Sequence, residues 1–181
     1  MKSNCSFFGS EQKFQALGLL AEFLLNLQTL SDKIMIEVCC AIILKGSNLL
    51  AVQRGPKSNH PWKWEFPGGK INLDETAPQC IVREIVEELS VGIEIIHQFS
   101  SVEFNYGPGY ICLVPFACRI LRGEIMLTEH VAQRWFELKN WESIDWLEAD
   151  RELIRQNYAG LELLVSENRG ETILPGSEIL W

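Results

Sequence analysis

Residues 69–91, GKINLDETAPQCIVREIVEELSV, constrain this chain more than any other stretch, because they set four glutamates and an arginine at fixed spacings around one helix start. Thr76 with Gln79 three residues later has the form of a capping box. Pro78 falls in the first turn, where a missing N–H costs little. The spacing predicts a helix from Thr76 to Leu89, with Ile81, Ile85 and Leu89 as the apolar stripe that faces a core. On a neighbouring face Glu84, Glu87 and Glu88 stand at i, i+3 and i+4, so their carboxylates converge. Three anions on adjacent turns repel one another unless a cation sits between them. Magnesium suits that place, since it takes oxygen ligands, keeps several waters and is commonly shared with substrate phosphates. Arg83 precedes the cluster and is positioned to clamp Glu75 or another carboxylate through a bidentate pair, which would fix the loop to the helix.

Most acidic runs are solvated helix faces, and the three glutamates alone would be read that way. The full pattern argues otherwise: Gly69, five residues, Glu75, seven residues, then Arg83, Glu84, an aliphatic residue, any residue, Glu87 and Glu88. This segment resembles the signature of the Nudix hydrolases, which cleave nucleoside diphosphates linked to another group. Gly69, Glu75, Arg83, Glu84, Ile85, Glu87, Glu88 and Val91 match it, and Ser90 stands where that family has glycine. Glycine there suits a left-handed cap, and serine in the same conformation costs about 1 kcal/mol. The preceding WKWEFPGGK, residues 62–70, is similar to the MutT-type branch, which hydrolyses free nucleoside triphosphates. The likeness runs from Ile36 to Tyr158.

The resemblance implies an α/β fold, an α/β/α sandwich around a mixed sheet. It implies Mg2+, with Mn2+ able to substitute, held by Glu84, Glu87 and Glu88 with the Gly68 carbonyl. Glu129, in EHVAQRW, resembles an additional metal-binding carboxylate. The implied reaction is hydrolysis to a nucleoside monophosphate and pyrophosphate, with Glu84 the first choice for accepting the water proton and Glu129 the second. Arg54 and Lys70 are candidates for the triphosphate or ribose, and Tyr106, with Phe104 and Tyr110, for stacking on the base. Asp150, in WLEAD, lies where MutT-type enzymes place a base-contacting side chain, and the enzymes for oxidised guanine carry asparagine there. A carboxylate accepts from the exocyclic amine of cytosine, and the EHVAQRW and EAD segments look like the cytidine-triphosphate pyrophosphohydrolases. A cytidine-type triphosphate, modified dCTP included, is therefore the expected substrate. 8-oxo-dGTP is the alternative, because guanine also offers N–H donors and an aspartate at a helix start is often only an N-cap. A non-catalytic nucleotide-binding module is a further alternative; such domains usually lose motif carboxylates, which this chain keeps. Nudix enzymes acting on nucleotide sugars or dinucleotide polyphosphates are disfavoured by WEFPGGK.

The rest of the chain agrees with one such domain. The 181 residues are 47% hydrophobic, enough for a single core, and the net charge of −8 disfavours a nucleic-acid polymer as partner. No CxxC pair occurs among the six cysteines, and Cys39, Cys40, Cys112 and Cys118 lie in apolar runs, as buried thiols of a reducing cytoplasm do. His60, His97 and His130 have no zinc-ligand spacing. Strands are expected at IMIEVCCAIIL from Ile34, NLLAVQR, IEIIHQFSSVEFNY, YICLVPFACRIL and QRWFEL. A loop, GPKSNHPWK, precedes the motif, a turn lies around Trp141, and a final helix runs from Asp150 to Tyr158. Residues 35–159 are read as the domain, 1–34 as an extension with an amphipathic helix over 10–30, and 160–181 as a tail. That helix is too interrupted by charge to span a membrane, and no cleaved leader is evident. A monomer or homodimer acting on a small nucleotide is expected.

Overall fold

A computed structural model describes residues 35–106 and 109–168, with Glu22. The amphipathic helix expected over 10–30 and the tail beyond Asn168 lie outside the described residues. The apolar run after Ile34 forms β1 (Met35–Lys45), whose residues Cys39 to Leu44 are all buried. A strand buried on both faces is covered on both, and this one separates two apolar clusters by its period of two. Cys39, Ala41 and Ile43 face one cluster, and Cys40, Ile42 and Leu44 the other. The first cluster is closed by helix α1 (Ala77–Leu89), through Ile81, Ile85 and Leu89. The second is closed by helix α2 (Glu148–Asn168), through Leu153, Ile154, Leu161 and Val165. The layers are thus helix, sheet, helix.

The sheet is mixed. β1 runs parallel to β7 (Tyr110–Arg122), in register from Met35 opposite Tyr110 to Leu44 opposite Arg119. It is antiparallel to β2 (Asn48–Gln53) across a turn at Gly46, where φ is 59°. β2 in turn pairs with β8 (Ala132–Glu137). The run IEIIHQFSSVEFNY breaks into β5 (Gly92–Gln98) and β6 (Val102–Asn105), both antiparallel to β7. WEFPGGK, for which no strand is expected from sequence, contributes two short strands: β3 (Trp64–Glu65) on β2 and β4 (Gly68–Lys70) on β1. A 3-10 turn, Leu138–Ser143, occupies the segment around Trp141.

The last helix differs from expectation at both ends. It begins at Glu148 and continues ten residues past Tyr158, to Asn168. Gly160 reads as a helix stop, yet here it serves packing, since a Cβ at that position would press 3.0 Å from the Phe99 ring. Leu161 and Val165 then carry the apolar stripe onward into the core. Residues 160–168, assigned to the tail from sequence, are therefore helical and partly buried. Among the described residues no helix is long and apolar enough to cross a membrane.

Candidate active site

Helix α1 starts as its sequence directs. Thr76 accepts from the Gln79 N–H at 3.4 Å, and the Gln79 side chain accepts from the Thr76 N–H at 2.8 Å. It ends on Ser90 in the left-handed conformation, φ 59° and ψ 27°, whose N–H donates to the Val86 carbonyl. The remaining carbonyls at this end are met by the distant loop between β7 and β8: Thr128 donates to the carbonyl of Glu88 through its N–H and to those of Glu87 and Glu88 through its hydroxyl, and the Met126 N–H donates to that of Leu89. That docking places the next residue, Glu129, beside the helix.

Arg83 holds the motif loop to the helix. Its Nε donates to Glu75 Oε2 at 2.9 Å and its Nη2 to the other oxygen of the same carboxylate, the bidentate clamp expected from the spacing. These bonds, with the Asn72 N–H, hold the Glu75 carboxyl down at about 2. Nη1 of the same guanidinium donates to Glu84 at 2.8 Å and to Glu87 at 3.1 Å. Glu87 is thereby turned along the helix surface, with its side chain 56% exposed.

Glu84, Glu88 and Glu129 meet Gly68 and Gly69 in a cleft of about 270 Å³, together with Arg54, Glu65 and His130. Gly68 has φ 151° and lies so close to β1 that a Cβ would overlap the Cys39 carbonyl, so only glycine fits. Its N–H donates to Glu88 at 3.0 Å. Glu88 is only 6% exposed, and burial, reinforced by the charges of Glu65, Glu129 and Glu84, pushes its carboxyl up to about 8. Glu65 is compensated by Arg54 at 2.6 Å and by His130 Nε2 at 3.0 Å. Glu84, Glu88 and Glu129 are left with a share of Arg83 and one backbone N–H. An excess of negative oxygen donors around a glycine-lined cleft fits a hard divalent cation. Among the described residues no three acidic, histidine or cysteine side chains already stand as a ligand set. The guanidinium of Arg83 holds Glu84 and Glu87 instead.

A second group of residues adjoins this cleft. Asp150 lies in the first turn of α2, 5% exposed, and its Oδ1 accepts from the Phe66 N–H at 2.9 Å. It is thus inside the helix and bonded across to the β3–β4 turn, not an N-cap. Burial, then the charge of Glu65, pushes its carboxyl up to about 8. Tyr106 is half-buried, 4.9 Å from the Phe104 ring and 5.8 Å from the His60 ring, and burial beside Asp150 and Glu148 raises its hydroxyl to about 12. Glu65 acts electrostatically on both Glu88 and Asp150, which links the two groups.

Among the residues singled out from sequence, the cleft gathers Arg54, Gly68, Glu84, Glu88 and Glu129. Lys70 is exposed on β4 and does not line it; its carbonyl accepts from Arg83. Glu65 and His130 were not singled out, because each is unremarkable in its own segment and they meet across 65 residues. Two of the cleft's polar atoms, Arg54 Nε and His130 Nδ1, are buried without a hydrogen-bond partner. A larger groove of about 740 Å³ lies by Leu44, Arg119 and Trp135. Its lining has one carboxylate, Glu124, against two cationic side chains, Lys45 and Arg119, so it does not gather the anionic donors a cation needs.

Residues 34–157 match the NUDIX domain family. The chain is 34% identical over 101 residues to the CTP pyrophosphohydrolase of Escherichia coli K12, covering 56% of this chain and 75% of that protein. It is 28% identical over 120 residues to the 8-oxo-dGTP diphosphatase of the same organism, covering 66% and 93%. Among solved structures, the solution structure of the E. coli ORF135 protein superposes with a TM-score of 0.62 at 29% identity, over 72% of this chain and 92% of that one. With a matched domain that spans the acidic cleft, helix α1 and the first half of α2, the chain belongs to the NUDIX family and is one of its hydrolases.

Proposed function

We propose that the chain hydrolyses a cytidine-type nucleoside triphosphate, modified dCTP included, to the monophosphate and pyrophosphate in a magnesium-dependent reaction. The observation that carries this is the glycine-lined acidic cleft of Glu84, Glu88 and Glu129, joined through Glu65 to the buried Asp150. Magnesium, or manganese in its place, would be held by Glu84, Glu87, Glu88, Glu129 and the Gly68 carbonyl, and when bound neutralises phosphate charge and makes water more acidic. The chain's own groups do the rest. Glu84 accepts the proton of the attacking water, with Glu129 the second choice. Arg54, at the cleft wall, holds phosphate oxygens, with Lys70 at the outer edge. No nucleophilic side chain is needed, since phosphoryl transfer rests on positioning and charge stabilisation.

The cytidine preference rests on Asp150. With its carboxyl raised to about 8, it is a neutral acid at physiological pH. A neutral acid both accepts and donates, which complements the amine and ring nitrogen of cytosine; an ionised carboxylate complements the two adjacent N–H donors of guanine better. Tyr106, packed on Phe104, offers a stacking face. Such an enzyme works on the soluble nucleotide pool of the cytoplasm, as a monomer or homodimer. Pyrophosphate release from a panel containing CTP, dCTP, modified dCTP and 8-oxo-dGTP tests the assignment: a higher kcat/KM for 8-oxo-dGTP than for every cytidine form refutes it.

A further inference from the structure

Two cysteines that the hydrolytic cleft does not use lie directly behind it. Cys39 is on β1, opposite Gly69 of β4, and Cys80 is on the first turns of α1, one helical turn before Arg83 and Glu84. Both are fully buried in the apolar cluster between sheet and helix. Their sulfurs stand 2.6 Å apart, inside the ~3.5–4.0 Å of ordinary non-bonded carbon contacts and approaching the ~2.05 Å of a disulfide. Both sulfurs also point at the Gly69 carbonyl, at 3.5 and 3.7 Å, so the side chains converge on one spot. Cys118 lies in the same cluster but bonds the Phe116 carbonyl within its own strand. Cys39 and Cys80 are thus the pair that two different elements bring face to face.

We propose that Cys39 and Cys80 are a modification site, closed by a peroxide into a disulfide that ties helix α1 to the central strand behind the acidic cleft. One of the two thiols reacts first, as its thiolate, and attacks one oxygen of hydrogen peroxide. The O–O bond breaks, the other oxygen leaves as hydroxide and is protonated to water, and that cysteine becomes a sulfenic acid. Its partner then attacks the sulfenic sulfur: the S–S bond forms, the S–O bond breaks, and the departing hydroxide takes the partner's proton as a second water. The two sulfurs lose two electrons and the peroxide gains two. Burial raises both thiols above their ordinary range, which makes the closure slow rather than immediate.

The test uses the reduced full chain, exposed to hydrogen peroxide, denatured, alkylated and mapped by peptide mass spectrometry. The expected result is a linked peptide joining Cys39 and Cys80 as the dominant oxidised species. A crosslink closing the chain between these positions should raise Tm by about 10 °C, reversibly with dithiothreitol. Cys80→Ala should abolish the rise and Cys118→Ala should keep it. If Cys39 and Cys80 both remain alkylatable while other cysteines oxidise, or the Tm rise persists in Cys80→Ala, the proposal is overturned. Should Cys80→Ala fail to fold, the peptide map of the wild-type chain decides the matter alone.

Discussion

Replacing Asp150 by Asn alters one buried group and leaves its neighbour satisfied, because the amide oxygen can still accept from the Phe66 N–H. In the unfolded chain the carboxyl titrates near its ordinary 3.8, and in the folded protein near 8. The folded state thus favours the protonated form. Its stability contribution is fully present below the unfolded value, declines as pH rises, and is gone once pH passes the folded value. Each pH unit inside that window costs about 1.4 kcal/mol. Between about pH 6 and pH 8 the wild type should therefore lose on the order of 2–3 kcal/mol relative to Asp150→Asn, a difference in which the titrations of Glu88 and other shared groups cancel. Denaturant unfolding of both proteins, fitted at several pH values, reads this directly. A stability difference that stays flat from pH 6 to pH 8 would refute the reasoning, since it would mean that Asp150 is ionised in the fold at neutral pH. The same measurement bears on substrate choice. Discrimination for cytidine should weaken as pH rises through 8 in the wild type and lose that pH dependence in Asp150→Asn, whose amide keeps an acceptor and a donor at every pH, while Mg2+ binding changes little.

Two further outcomes follow from the backbone and the domain limits. Ser90→Gly should stabilise the protein by about 1 kcal/mol, measured as a denaturant midpoint, because the left-handed φ of 59° carries a cost for serine that glycine does not bear. A chain that starts at Met35 should fold and retain pyrophosphate release, since β1 begins there and every cleft residue follows it. An insoluble or inactive product would make residues 1–34 part of the core or of a subunit contact.

Those features differ in how far the sequence alone reveals them. Helix α1 was legible to its caps, because Thr76, Gln79, Pro78 and Ser90 act within a turn of the backbone they satisfy. The Arg83 clamp on Glu75 was legible for the same reason, the two lying on adjacent pieces of one motif. The reach of α2 was not. Gly160 carries the local signature of a stop, and only the Phe99 ring, distant in sequence, turns it into a packing contact. The strands β3 and β4 escaped because they exist by pairing with β2 and β1, not by a pattern of their own. The orientation of Glu87 was equally hidden: its place on α1 allows it to face the cleft or Arg83, and in this structure it pairs with Arg83. Glu65 entered as part of WEFPGGK, but its pairing with Arg54 and His130 is a product of the sheet.

The account stands on the acidic cleft being the place of hydrolysis. Glu88→Gln keeps the size of the side chain and an acceptor for the Gly68 N–H, while removing a carboxylate that burial and three like charges already disfavour. The variant should fold at least as stably as the wild type without metal, and its Mg2+-dependent Tm rise should disappear. The decisive reading is pyrophosphate release from CTP and dCTP in saturating Mg2+. Turnover lowered by roughly two or more orders of magnitude is the result expected from losing transition-state charge stabilisation, and near wild-type turnover in a folded Glu88→Gln protein would contradict the assignment of this cleft.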